Sequence, residues 1–200
     1  MSPAVLTLWT DNKLNEQDTT TLRRPSREIA LPYGAEDLRD IQTLIETFLQ
    51  TDDALGLAAP QIGINKQIIA FRTKCLEDKA GAWTKEEGTY QVLVNPRITQ
   101  ARGEQEIQTE GCLSCPWIQA EVPRFPEIKV RGYNHQGRKI NQRYQDFLAR
   151  VVQHELDHLA GRLIMDYGGN IYYPRKYQDF FSTVLSKPEF PFPTFKSIDN

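Results

Sequence analysis

No stretch of this 200-residue chain approaches the ~20 consecutive apolar residues that a membrane-spanning helix needs. Cysteine is scarce: three residues, an odd count, make no disulfide framework and fit a reducing compartment. Charge of neither sign dominates. A net charge of −2 gives no reason to expect nucleic-acid or membrane affinity across the surface, and the pairs Arg23-Arg24 and Arg175-Lys176 read as solvated surface. There is no internal repeat and no low-complexity block. Residues 1–10 lack the basic start and apolar run of a secretory or transit leader, so the cytoplasm is the expected compartment. Histidine is scarce as well, with three in the whole chain.

Two of those three histidines sit four residues apart, in Gln153-His154-Glu155-Leu156-Asp157-His158. That spacing puts both imidazoles on one face of a helix, one turn apart, where they can share a metal ion. Glu155, between them, is the residue type that handles protons in metal hydrolases. The helix itself is expected from about Asp146 to Ala160, with Phe147, Leu148, Val151, Val152, Leu156 and Leu159 as its buried stripe and Gly161 as its cap. Buried imidazoles need partners, and a metal is an efficient one. The ordinary alternatives are a polar helix face without metal and, for Glu155, a surface carboxylate.

The rest of the chain frames this helix. Residues 35–50 repeat Leu38, Ile41, Leu44, Ile45, Phe48 and Leu49 at helical spacing. Residues 56–63, Gly-Leu-Ala-Ala-Pro-Gln-Ile-Gly, read as a tight loop whose backbone approaches something closely. Residues 67–71 and 90–94 read as strands, residues 74–88 as a polar loop, and residues 95–144 as short strands broken by Pro or Gly, with a hairpin tip at residues 134–137. Residues 187–200 carry three prolines and read as an irregular tail. The expected architecture is α+β: antiparallel sheets packed around a central helix that carries the His-Glu-x-x-His motif. Residues 1–170 form the expected catalytic domain, and residues 171–200 a partly irregular, Pro-rich C-terminal extension.

The third metal ligand decides the class. A His six residues after the second would suit one group of hydrolases, but that position is Ile164. The only downstream Glu, Glu189, lies in the tail, and Asp166 follows a short apolar run that suggests a turn cap. Upstream, Glu110-Gly111-Cys112-Leu113-Ser114-Cys115-Pro116 offers a thiolate in an apolar setting. Cys112 with His154 and His158 gives three ligands and leaves one position open, as a catalytic site requires. Three rivals stay open: a metallopeptidase of another class with Asp166 in place of Cys112, a non-enzymatic domain whose Cys112, Cys115, His154 and His158 close a structural zinc site, and a thiol–disulfide role. Read as extended, the segment would turn Cys112 and Cys115 to opposite faces. Cys115 and Cys75 then serve as small hydrophobes.

Taken together, residues 56–63, 110–116 and 153–158 resemble the three motifs of peptide deformylase, in that family's order. Residues 22–25, 121–124 and 159–167 look similar too, so the resemblance spans about residues 1–170. It implies a hydrolase acting on a linear amide, which removes the N-formyl group from the initiator methionine of nascent polypeptides and releases formate. It implies Cys112, His154 and His158 as ligands of one divalent metal, Fe²⁺ in the cell with Ni²⁺, Co²⁺ or Zn²⁺ as substitutes. It implies Glu155 as general base and acid, and Gln61 with the Leu113 N–H as the oxyanion hole. Gly56 would bind the substrate backbone, and Leu55, Gly111 and Val151 would line the methionine pocket. The bland reading of Gln61 is an amide capping its own loop. The chain departs from the family pattern at Ala54, Cys115 and Gln119. Gln119 replaces an Arg that contacts the peptide beyond methionine, work that Arg124 would partly take over. If the position of Ala54 needs positive φ, Ala54 is strained. The basic C-terminal helix that some members use at the ribosome is not evident, and Ala54 with Gln119 also fits an inactive or retuned relative.

Overall fold

The computed structural model describes residues 3–77, 83–85, 89–184 and 195–198. In chain order the elements are β1 (Trp9–Thr10), β2 (Lys13–Leu14), α1 (Glu16–Leu22), α2 (Ala35–Gln50), β3 (Gly56–Ala58), β4 (Ile68–Arg72), β5 (Cys75–Glu77), β6 (Trp83–Lys85) and β7 (Tyr90–Arg102). Then come β8 (Glu106–Gly111), β9 (Gln119–Arg124), β10 (Glu127–Tyr133), β11 (Lys139–Gln145), α3 (Asp146–Leu159), β12 (Ile171–Pro174), α4 (Gln178–Val184) and β13 (Phe195–Ile198). The fold is α+β.

The larger sheet has five antiparallel strands in the order β11-β10-β7-β4-β3. Its middle is buried on both faces, which explains the unbroken apolar run at the start of β4. Side chains alternate across a strand, so Ile68 and Ala70 join α2's Ile41, Leu44 and Phe48 in one core. Ile69 and Phe71 join Val152 and Leu159 of α3 in another. Helix α3 therefore packs on β3, β4, β10 and β11, and it also touches β9 of the second sheet. The smaller sheet runs β13-β12-β9-β8. A third core beneath it gathers Trp9, Leu22, Ile118, Val122, Ile164 and Phe181.

Helix α2 spans the expected residues, and α3 ends one residue early, with Gly161 beyond it at φ 72°. The hairpin tip closes through the Gly137 N–H to the Asn134 carbonyl, 3.0 Å. Three expectations are corrected. Residues 56–58 are not loop but a short edge strand, because they pair with β4 before the 3₁₀ turn Ala59–Ile62. The stretch 74–88 is not all loop, since β5 and β6 pair antiparallel. The tail is not wholly irregular: β13 pairs with β12, and in parallel rather than antiparallel sense. The expectation for Cys75 concerns a side chain outside the described residues. Ala54 has no positive φ and packs in the α2 core, so the strain considered for it does not arise.

Candidate active site

Three separate segments meet on one face of α3. Cys112 leaves the end of β8 in a tight turn closed by the Cys115 N–H to the Cys112 carbonyl, 3.0 Å. The N-terminal segment straps this turn to the loop after β3. The Leu8 N–H reaches the Ser114 carbonyl at 2.9 Å, the Leu6 N–H reaches the Gln61 carbonyl at 2.7 Å, and the Trp9 indole N–H donates to the Pro116 carbonyl at 2.9 Å. Two backbone hydrogen bonds and one from an indole thus tie the N-terminal segment to both loops.

One donor atom each from Cys112, His154 and His158 lies within 4.8 Å of the others. The Cys112 sulfur is 3.4 Å from His158 Nε2, and the two imidazole rings stand one turn apart at 5.1 Å. His154 Nδ1 is engaged by Glu110 Oε2 at 2.9 Å, which leaves Nε2 as the ring atom that can join the donor trio. Glu110 is itself gripped twice. Arg124 approaches bidentately at 2.9 Å and 2.9 Å, and Arg150 reaches Oε1 at 2.7 Å. Arg124 also holds Asp157 and the Tyr167 hydroxyl. A carboxylate so anchored fixes the orientation of a ligand imidazole.

Burial pushes the Glu110 carboxyl up, but hydrogen bonds from Arg124 and His154 outweigh it and hold the group at about 2. The Cys112 thiol is drawn well below its ordinary range by a hydrogen bond from Cys115, against the opposing effect of burial, and by the charge of His158. The sulfur is therefore disposed toward the thiolate, the form that binds metals. Burial pulls the His154 imidazole down, and its hydrogen bonds to Cys112 and Glu110 more than reverse that. The donor set of one sulfur and two ring nitrogens fits a borderline-soft divalent ion.

Glu155 is 3% exposed, and its Oε2 has no hydrogen-bond partner among the described residues. Burial raises this carboxyl to about 7, against the pull of His154 and His158. What the Gly56 backbone approaches is this side chain: a Cβ on Gly56 would sit 2.2 Å from Glu155 Oε1. Gln61 does cap its own loop, its Oε1 accepting the Ala58 N–H at 2.8 Å. Its amide nitrogen meanwhile reaches Ser114 Oγ at 3.2 Å, and an amide NH₂ carries a second proton to offer.

A cleft of about 910 Å³ opens over these groups, lined by Leu55, Gly56, Gln61, Gly111, Cys112, Leu113, Val151, His154 and Glu155 among others. The sheet-edge strands β3 and β8 both border it. Arg124 does not line this cleft. It is 3% exposed and spent on Glu110, Asp157 and Tyr167, so the expected peptide contact is corrected to an anchoring role. Gln119, by contrast, does line the cleft. Cys115 packs into the small-sheet core outside the donor group, although in a turn rather than on an extended strand. Asp166 caps the Leu163 N–H at 2.8 Å and pairs with Arg23, away from the site. Sequence reasoning passed over Glu110 and Arg150. Arg150 stands four residues before His154 on the same helix face, and that spacing was the available signal.

The family model described as polypeptide deformylase matches residues 12–171. A Rickettsia conorii protein named peptide deformylase 2 is 36% identical over 158 residues, covering 77% of each chain. A Pseudomonas putida protein of the same name is 39% identical over 155 residues, covering 76% of this chain and 80% of its own. Among solved structures, the class I type b peptide deformylase of Acinetobacter baumannii, with Met-Ala-Ser bound, superposes at a TM-score of 0.67 and 27% identity. That match covers 84% of this chain and 99% of that one. A match over most of the chain, at this identity and with this fold, makes the chain a member of the polypeptide deformylase family.

Proposed function

We propose that this chain performs its family's reaction, removal of the N-formyl group from nascent polypeptides as formate, with one divalent cation held by Cys112, His154 and His158. Three protein donors leave a coordination position for substrate chemistry, and a thiolate with two imidazoles suits Fe²⁺, Ni²⁺, Co²⁺ or Zn²⁺ rather than Mg²⁺ or Ca²⁺. We assign Fe²⁺ in the cell, and the cytoplasm as the compartment. Among the described residues no helix is long and apolar enough to cross a membrane. When bound, such a cation supplies Lewis acidity that brings the pKa of water close to neutrality.

The protein's own groups do the rest. Glu155 takes the proton of the attacking water and returns it to the leaving amine; a carboxyl poised at about 7 suits both directions. The second Gln61 amide proton and the Leu113 N–H meet the charge that grows on the formyl oxygen, and one such donor is worth roughly 10²–10³ in rate. The peptide lies between β3 and β8 as an added strand, with Gly56 leaving room for its backbone. Its methionine side chain enters the pocket of Leu55, Gly111 and Val151, residues that line the cleft together with Phe147. The Met-Ala-Ser carried by the Acinetobacter protein starts with that same residue.

The observation that carries this reading is Glu155 itself: a buried carboxylate oxygen with no partner among the described residues, beside the donor trio. A Glu155→Gln variant keeps one metal per chain and loses about 10²–10⁴ in formate release from formyl-Met peptides. Retained turnover rejects the assignment.

A further inference from the structure

The Cys-x-x-Cys motif has no use in the reaction above. Cys112-Leu113-Ser114-Cys115 carries two free thiols, and the donor trio takes only the first. An extended backbone would turn them to opposite faces, but residues 113 and 114 form a turn, closed by the Cys115 N–H to the Cys112 carbonyl at 3.0 Å. A hydrogen-bonded turn keeps its first and last Cα atoms within about 7 Å, and a disulfide needs them roughly 4.4–6.8 Å apart. The sulfurs face each other, since the Cys115 thiol donates a hydrogen bond to the Cys112 sulfur. The turn is also braced from outside, by the Leu8 N–H on the Ser114 carbonyl and the Trp9 indole on the Pro116 carbonyl, each at 2.9 Å.

The two thiols hold different stations. Cys112 is half-buried and lines the cleft, with its sulfur 3.4 Å from His158 Nε2. Being disposed toward the thiolate, it is the sulfur that an electrophile entering the cleft meets first. Cys115 is 1% exposed and sits behind it in the small-sheet core. Its hydrogen bond to Cys112, and its burial, raise the Cys115 thiol well above the ordinary range, so it keeps its proton. A reachable thiolate backed by a second thiol is the arrangement of a redox pair.

We propose that Cys112 and Cys115 form a reversible disulfide when a peroxide enters the cleft, and that closing this bond expels the metal. The inference rests on Cys112 being a ligand, as in the deformylase reading, and adds a modification to that site. The Cys112 thiolate attacks one oxygen of hydrogen peroxide and the O–O bond breaks. The product is a sulfenic acid, and the released hydroxide leaves as water with a proton from solvent. The Cys115 sulfur then attacks the Cys112 sulfur and the S–O bond breaks. The proton of Cys115 leaves with that hydroxide as a second water. The two cysteines lose two electrons, and the peroxide gains them. A disulfide sulfur has no negative charge to offer a cation, so only the two imidazoles remain as ligands. A thiol reductant regenerates the thiolate. Without Cys115, Cys112 would run on to sulfinic and sulfonic acids, which no thiol reverses.

The test uses the zinc-loaded chain, because zinc has no redox chemistry of its own. Treated with hydrogen peroxide, the wild type should lose two hydrogen atoms within the proteolytic fragment that carries residues 112 and 115. It should release its zinc to a chromophoric chelator, and dithiothreitol with fresh zinc should restore both mass and metal. Cys115→Val and Cys115→Ala retain all three ligands; they should instead gain two or three oxygen atoms on Cys112 and fail to recover. Mass and zinc are read without turnover. A chain that closes the bond and releases zinc, yet yields no formate, therefore supports the switch and removes only the activity reading. A wild type that gains oxygen atoms as the variants do, or whose disulfide involves Cys75, overturns the proposal. A closed bond with the zinc retained overturns it too, and Cys112→Ser keeping its zinc would then show that the ligand assignment had failed with it.

Discussion

Replacing Gly56 with alanine is a one-carbon change aimed at the proton-handling group. The added Cβ would lie 2.2 Å from Glu155 Oε1, 2.6 Å from its Cδ and 2.7 Å from its Cγ, where ordinary contacts begin at 3.4 Å. Three atoms of one side chain must therefore yield, the nearest by more than 1 Å. Glu155 is buried and also lines the cleft, so a displaced carboxylate leaves the position from which it would meet the substrate. A catalytic group misplaced by about 1 Å typically costs on the order of 10²-fold, or about 2.7 kcal/mol of barrier. Overpacking also lowers stability, by about 1–3 kcal/mol. The metal ligands are untouched, so Gly56→Ala should still bind one metal per chain, melt somewhat earlier and lose about 10²-fold in kcat. Metal analysis, a thermal melt and formate release measure the three effects. A folded, metal-replete variant with kcat within threefold of wild type would refute the claim that this glycine exists to make room for Glu155.

Two further outcomes follow from the donor set and its anchor. Cys112→Ser should lose stoichiometric metal on dialysis, because a neutral hydroxyl replaces the thiolate; retained metal, read by elemental analysis, would point elsewhere for the third ligand. Glu110→Gln should lose the acid-sensitive part of the stability. A carboxyl lowered from 4.5 to about 2 on folding contributes stability that is present above 4.5 and is lost as the pH falls toward 2. By the size of that shift the contribution is about 3 kcal/mol. Denaturant melts across that range should slope steeply for the wild type and much less for Glu110→Gln, and parallel curves would contradict the linkage.

Much of this arrangement was legible in the sequence. The His154/His158 spacing survives any small error in helix boundaries, because i and i+4 share a face throughout a helix. Helix α2 was legible for the same reason, its apolar stripe being long and periodic. What stayed hidden depends on residues far apart in sequence. Residues 56–58 are too few to show a strand period, and they pair only because β4 offers an edge. Arg124 looked like a free cation for a peptide. Its commitment to Glu110 and Asp157 appears only when β8, β9 and α3 come together. The turn at Cys112 was read as extended because its Gly and Pro flank it without marking which residues bend.

The central claim is that one sulfur and two imidazole nitrogens grip a cation while room remains for the reacting molecule. X-ray absorption at the metal edge of the protein, loaded without oxygen, measures this directly. The account predicts one sulfur scatterer and two imidazole nitrogens, with at least one further light atom from solvent. Two sulfurs, which would bring Cys115 into a closed site, or none at all would contradict it.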